Sequence, residues 1–169
     1  MVGSRRYDIM TAQAQTPGTT LGSSRTWAVA LLLLAVSGTA AGASCTVSAT
    51  SLAFGSYLAG AGALKSSGTA TVSCTAGTFF AMGASGGNKG TQSQRLLANG
   101  NYTVQYNLYL TSAYATIRGD GTGNTGIFAA TATSTPSVFP YYGLLPDNAF
   151  NQAAAAGSYT DGIIVVVSF

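Results

Sequence analysis

The last eleven residues of the chain, 159–169, read YTDGIIVVVSF and predict a β-strand that packs in the core. Valine, isoleucine and phenylalanine dominate this stretch, and β-branched and aromatic side chains favour a pleated, buried surface. Apolar side chains fall on both faces, which predicts a strand covered on both sides. Because chain ends usually fray, an apolar strand running to Phe169 is expected to pair with a further strand, from this chain or from another one.

The side chains of this strand alternate between its two faces. Ile164 and Val166 fall on one face. The other face carries the longer row, which consists of Tyr159, Asp161, Ile163, Val165, Val167 and Phe169.

The composition excludes several classes of protein. Only 7% of the 169 residues are charged and none is histidine, whereas 47% are hydrophobic. Disordered chains combine low hydrophobicity with high charge, so this chain is expected to fold. The net charge of +3 rests on very few groups and gives little support to a nucleic-acid role.

The segment before the folded part has the pattern of a secretory signal peptide. Arg25 precedes the apolar run 27–36 (WAVALLLLAV), and the small residues Ala41-Gly42-Ala43 follow. The run is shorter than the ~20 apolar residues of a membrane-spanning helix. We therefore predict a cleaved signal peptide at 1–43, with the site certain to about two residues, one domain at 44–169, and no stable membrane span after cleavage.

The two cysteines, Cys45 and Cys74, both lie in the predicted mature part. An even pair in an exported chain predicts one disulfide in an oxidising compartment. A redox or metal pair is disfavoured by the spacing and by the absence of histidine. In the chain-entropy model, this bridge would stabilise the folded chain by roughly 3–4 kcal/mol.

The mature part reads as β-structure throughout. Residues 102–110 (YTVQYNLYL) alternate between apolar and polar side chains, as a half-buried strand does. Several short strands separated by Gly and Ser turns predict a β-sandwich. The predicted strands are 46–55 (with Leu52 and Phe54 on one face), 69–74, 79–84, 95–98, 102–110, 138–145 and 159–169.

A series of short motifs runs through the mature chain in a fixed order. They are Cys45-Thr46-Val47, Leu52-Ala53-Phe54-Gly55-Ser56-Tyr57, Cys74, Gln94-Arg95-Leu96, Tyr106-Asn107-Leu108-Tyr109, Gly119-Asp120-Gly121, Tyr142-Gly143 with Pro146, and Gly157-Ser158-Tyr159-Thr160-Asp161. In this order, behind a signal peptide, the chain resembles the spore coat protein U domain family, whose members include the subunits of archaic chaperone–usher pili.

The resemblance implies an all-β, incomplete immunoglobulin-like β-sandwich that lacks its final strand. It also implies three kinds of partner, namely a periplasmic pilus chaperone, an outer-membrane usher and neighbouring pilus subunits. A strand from a partner would complete the sandwich through main-chain hydrogen bonds and alternating side chains. The residues expected at this chaperone and donor-strand interface are Tyr159, Ile163, Val165, Val167 and Phe169.

Two features depart from the family pattern. Donor subunits carry an alternating apolar extension ahead of the first cysteine, whereas cleavage after Ala43 would leave only Ser44. The subunit is therefore expected to accept a strand without donating one, as a tip or minor subunit would. The second departure is at Ile117-Arg118, where family members often carry tryptophan.

A catalytic role has little support in the sequence. Without histidine there is no Ser-His-Asp or Cys-His arrangement, and we expect no enzyme activity, no cofactor and no metal. The leading hypothesis is a structural or adhesive pilus subunit exported through the periplasm to the cell surface or an extracellular fibre. A self-contained spore-coat or surface-matrix protein is the alternative, followed by a polysaccharide-binding module.

Overall fold

A computed structural model describes residues 8–9, 13–15 and 42–169 of the chain. The predicted signal peptide's apolar run lies outside the described residues, and the domain boundary at 43/44 stays a prediction. The elements are β1 (Asp8–Ile9), β2 (Gln13–Gln15), β3 (Cys45–Ala49), β4 (Leu64–Cys74), β5 (Phe79–Ala84), β6 (Arg95–Asn99), β7 (Tyr102–Tyr109), β8 (Phe128–Thr131), β9 (Ser137–Leu145), α1 (Ala149–Gln152), β10 (Gly162–Ile163) and β11 (Val165–Ser168).

The strands form two main sheets, which confirms the predicted all-β sandwich. One sheet has five strands in the order β3-β4-β9-β7-β6, and all its neighbours are antiparallel. The other has four strands in the order β2-β11-β5-β8. A short pair formed by β1 and β10 lies beside them.

The core is built from side chains of both sheets. Phe139 of β9 stacks on Phe128 of β8 with ring centroids 4.9 Å apart, and meets Phe80 of β5 edge-on at 5.9 Å. Such aromatic contacts add to the free energy of apolar burial. The fully buried apolar side chains include Val72, Phe80, Met82, Leu97, Val104, Tyr141, Leu145, Tyr159 and Val167.

The last part of the chain connects the two sheets. Thr160 forms an antiparallel bridge with Ala98 of β6, at the end of the five-stranded sheet. A few residues later, Ile164 exchanges hydrogen bonds with Ser85, and β11 then pairs with β5 in the four-stranded sheet. Residues 159–168 therefore pair first with the edge of the five-stranded sheet and then with β5 of the four-stranded sheet.

The strand predicted at 46–55 is wrong in its second half. β3 ends at Ala49, yet Leu52 and Phe54 are both buried, as expected. Both side chains occupy the space over Gly143, where a Cβ atom would lie 2.8 Å from Leu52 Cδ1 and 2.9 Å from Phe54 Cζ. The alternating apolar residues thus mark a segment that packs across the sheet without pairing in it.

Three further elements differ from the sequence-based expectation. β4 begins at Leu64, five residues earlier than predicted, because its polar first half pairs with β9. β8 lies within a stretch rich in Gly, Thr and Ala that gave no clear strand pattern. The short helix α1 was not predicted; Asn148 caps it by accepting a hydrogen bond from the Asn151 amide.

Candidate functional site

The site to which the sequence pointed is the outer edge of β10 and β11. On one side, β11 pairs antiparallel with β5, from Val165 opposite Ala84 to Ser168 opposite Ala81. On its other side, β11 pairs in parallel with β2, and β10 pairs in parallel with β1. This edge therefore takes an added strand, and in this structure the chain's own residues 8–9 and 13–15 supply it.

The side chains of this strand alternate as the sequence predicted. Tyr159, Ile163, Val165 and Val167 are buried in the core, and Phe169 is partly buried against it. The structure thus places all five residues of the expected interface on the inward face. Their contact with a chaperone or donor strand stays a prediction.

The expectation of a strand covered on both sides is wrong. Ile164 and Val166 are 52% and 42% exposed, because they project from the outer face of the sheet. Within the described part of the chain, no second layer packs on this face over them. Apolar character on both faces therefore does not reflect double burial here.

The disulfide was predicted from the even cysteine pair and is confirmed. Cys45 of β3 lies directly opposite Cys74 of β4 in the antiparallel register. β3 forms one end of the five-stranded sheet, and its inward side chains Cys45, Val47 and Ala49 are only partly buried. The covalent link therefore ties an end strand of incomplete burial to the strand beside it.

A buried polar cluster holds the start of β10. The Asp161 carboxylate accepts hydrogen bonds from the Tyr106 hydroxyl at 2.6 Å, the Asn88 amide at 2.7 Å and the Gly162 amide at 2.8 Å. Ser85 lies next to it, with its hydroxyl accepting from the Ile164 amide at 2.9 Å. Together these contacts fix the polypeptide just where it enters the edge strand.

Arg95 holds this cluster in place by donating two hydrogen bonds to the Ser85 carbonyl oxygen. Its guanidinium is completely buried and makes five hydrogen bonds, one for each of its N–H groups. Burial lowers the pKa of Arg95, while the nearby Tyr106 and Asp161 act in the opposite direction. The acceptors are the carbonyl oxygens of Ser85 (which accepts twice), Gln92 and Arg118, and the side-chain oxygen of Asn107.

Arg118, at the second departure from the family pattern, is buried in a different way. Its guanidinium carbon lies 5.2 Å from the ring centres of both Phe128 and Tyr141. Its Nε and Nη2 groups have no hydrogen-bond partner among the described residues. Burial lowers the pKa of Arg118 to about 10; nearby Tyr141 acts in the opposite direction, and nearby Arg95 lowers the pKa further.

Sequence reasoning missed these polar roles, although a signal for one of them was visible. Asp161 falls on the same face as Ile163 and Val165, a position where its carboxylate shares a row with apolar side chains. A buried carboxylate requires hydrogen-bond donors. Its donors come from Tyr106 and Asn88, which are far away in the sequence and cannot be identified from periodicity.

The sequence profile of the Spore Coat Protein U domain matches residues 30–166. The chain belongs to this family. The match begins within the predicted signal peptide and ends inside β11. It therefore includes strands of both main sheets and the polar cluster around Asp161. A search of curated proteins finds no match.

Among solved structures, this Spore Coat Protein U domain is similar to a chain of the complex between the chaperone CsuC and the tip adhesion subunit CsuE, a pre-assembly complex of the archaic chaperone–usher Csu pili of Acinetobacter baumannii. The identity is 18%, the TM-score is 0.53, and the similarity covers 75% of this chain and 40% of that chain. At this identity the likeness establishes a shared fold. Among the described residues, no helix is long and apolar enough to cross a bilayer.

Proposed function

We propose that this chain is an exported structural or adhesive subunit of a surface pilus, assembled by the chaperone–usher route through donor-strand complementation. The observation that carries the proposal is the outer edge of residues 162–168, which takes an added strand beside an inward row of apolar side chains. Membership of the Spore Coat Protein U domain family and the fold shared with a chaperone–usher complex support it.

The partners follow from this role. A periplasmic chaperone lends a strand to the edge, an outer-membrane usher receives the complex, and a neighbouring subunit replaces the chaperone's strand. Covering about five apolar positions at ~1.5–3 kcal/mol each gives roughly 7–15 kcal/mol before ordering costs. A subunit without a partner strand is therefore marginally stable, and its open edge is a template for wrong pairing.

We also propose that the subunit accepts a strand without giving one, as a tip or minor subunit would. If cleavage follows Ala43, only Ser44 precedes Cys45, and β3 begins at that cysteine. No alternating segment is then left to donate. N-terminal sequencing of the exported protein tests this point, since an N-terminus well upstream of Gly42 would restore a donor segment.

A self-contained coat or surface-matrix protein is the second candidate, and one observation favours it. Residues 8–9 and 13–15 pair with β10 and β11 in this structure. A protein that kept these residues after export could complete its own sandwich.

Co-expression with and without a cognate pilus chaperone separates the two candidates. The pilus proposal predicts soluble protein only when the chaperone is present, in a complex with that chaperone. Stable monomer in the absence of the chaperone would favour the self-contained protein.

A further inference from the structure

Asp161 is a buried carboxylate located where the chain leaves the edge of β6 and enters the edge strand. Thr160, immediately before it, pairs with Ala98. The Oδ1 atom of Asp161 accepts from the backbone N–H groups of Asn88 and Gly162, and the Oδ2 atom of Asp161 accepts from the Tyr106 hydroxyl. A carboxylate removed from water is costly unless donors surround it, so this position requires those donors to stay in place.

The loop 85–88 closes over Asp161. The backbone N–H of Asn88 donates a hydrogen bond to the Asp161 carboxylate at 2.7 Å. Gly87 has φ +84°, and a Cβ atom there would lie 2.1 Å from Asp161 Oδ2. Only glycine therefore allows the loop to approach this closely.

The same loop is joined to the first residues of the edge strand. The Ser85 amide donates to the Ile164 carbonyl at 2.9 Å, and the Ser85 hydroxyl accepts from the Ile164 amide at 2.9 Å. The Ser85 carbonyl, in turn, accepts from Arg95 Nε at 3.0 Å and Nη2 at 2.6 Å. The loop is thus fixed from the core by Arg95 and holds the chain on both sides of β10.

We propose that Asp161 is a positioning residue for strand acceptance: its carboxylate clamps the loop 85–88 onto residues 161–164 and so keeps the edge of β10 and β11 preformed. This inference rests on the proposed function. If the edge strand had to become ordered when a partner strand binds, the lost conformational entropy would weaken the binding. An edge that is already ordered avoids this cost. The clamp therefore slows the release of an added strand by keeping the edge ordered.

Amide hydrogen exchange of the full chain, resolved residue by residue by NMR, tests the clamp. In Asp161→Ala we expect exchange of the Ser85, Asn88, Gly162 and Ile164 amides to rise at least tenfold, while amides of β4 and β9 stay within about twofold. Asp161→Asn keeps an oxygen that accepts from the two backbone amides, so it should remain within about threefold of the wild type. A uniform rise across all strands, or no rise at residues 161–164, would overturn the proposal.

The chain contains a matched control. Asp147 also accepts from a tyrosine hydroxyl (Tyr57) and from backbone amides (Gly60 and Gly62), but away from β11. Asp147→Ala should therefore speed exchange near 57–62 and leave 161–164 unchanged. If Asp161→Ala fails to fold, Ser85→Ala removes the hydroxyl that accepts from the Ile164 amide and should raise exchange of that amide about threefold or more; an unchanged rate there would overturn the clamp.

A binding measurement then separates the clamp from the proposed function. The probe is a fluorescent nine-residue peptide in which valine alternates with threonine, offered to the exported protein. We expect Asp161→Ala to release the peptide at least tenfold faster than the wild type, and Asp147→Ala to release it at the wild-type rate. Equal release from Asp161→Ala and the wild type overturns the positioning role. A wild-type protein that takes up no peptide contradicts the proposed function, and the exchange rates then decide the clamp alone.

Discussion

Two arginines are buried in the core, and their surroundings differ in kind. Arg95 donates all its N–H groups to oxygen acceptors. Arg118 lies between two aromatic rings, with Nε and Nη2 unpartnered among the described residues. Contact with a ring face compensates a cation less completely than hydrogen bonds do once water is excluded.

Replacing each arginine with methionine should therefore change the free energy of unfolding differently. Arg95→Met removes the donor of the buried Arg118 carbonyl oxygen and of the partly buried Ser85 and Gln92 carbonyl oxygens, and we expect a loss of about 3–5 kcal/mol in the free energy of unfolding. Arg118→Met removes a guanidinium with two unpaired groups and keeps an apolar chain between the rings, so we expect no loss or a gain of about 1–2 kcal/mol. Urea unfolding monitored by circular dichroism measures both, and a larger loss at Arg118 than at Arg95 would contradict this account.

The exposed carboxylate of Asp147 gives the stability a dependence on pH. Hydrogen bonds from Tyr57 and from the Gly62 amide lower the pKa of Asp147 to about 2 in the folded chain. Because this value is below that of the unfolded chain, the ionised carboxylate stabilises the fold above the unfolded pKa. The contribution is lost as the pH falls through about 2.

We therefore compare the melting temperatures of the wild type and Asp147→Asn as a function of pH. The wild type should melt higher at neutral pH, and the difference should shrink as the pH falls from about 4 to about 2. The measurement is thermal unfolding by circular dichroism in matched buffers. A difference that stays constant over this range would show that the Asp147 charge has no such role.

Adjacent positions of the edge strand β11 provide a direct comparison of its two faces. Val167 is 1% exposed and faces the core, whereas Val166 is 42% exposed on the outer face. An aspartate at Val167 buries an unpaired charge, so we expect Val167→Asp to cost about 3–5 kcal/mol and to reduce the yield of soluble protein. Val166→Asp should cost less than about 1 kcal/mol.

Yield and thermal unfolding of the two variants, prepared in parallel, measure this difference. Equal losses at both positions would show that the inward row of β11 is not what the core requires. A loss at Val166 alone would indicate a partner on the outer face.

The strands that sequence reasoning located best are those with strict alternation or a dense apolar run. Residues 102–110 predicted β7 to within one residue, because apolar side chains at every second position pack on the sheet. Leu52 and Phe54 alternate equally well but lie over Gly143 outside any strand, which periodicity alone cannot reveal. The FAAT stretch of β8 was missed because alanine and threonine give a weak pattern.

The candidate site was predictable only in part, for a similar reason. The inward row of the last strand follows from its own sequence. The clamp depends on the meeting of Asp161 with Tyr106 and Asn88, which tertiary contacts alone bring together. The predicted disulfide already implied one long-range contact, because a bridge between Cys45 and Cys74 requires the start of β3 and the end of β4 to meet.

At the scale of the whole molecule, the segment 159–168 pairs with different strands on its two sides. On one side it meets β6 and β5, which belong to the body of the sandwich. On the other side β10 and β11 meet only short strands from residues 8–9 and 13–15, within the part of the chain that the structure describes. If those residues are removed on export, this side is open to a strand from a partner.

The most direct test compares residues 44–169 alone with the same residues carrying a donor strand. An Asn-Gly turn after Phe169 followed by nine alternating valine and threonine residues lets a hairpin cover the edge; the control replaces the valines with serine. We predict that the valine fusion is monomeric by size-exclusion chromatography and melts about 10–20 °C above residues 44–169 alone and above the serine control. Monomeric residues 44–169 that melt at the same temperature as the valine fusion would contradict an incomplete sandwich that accepts a strand.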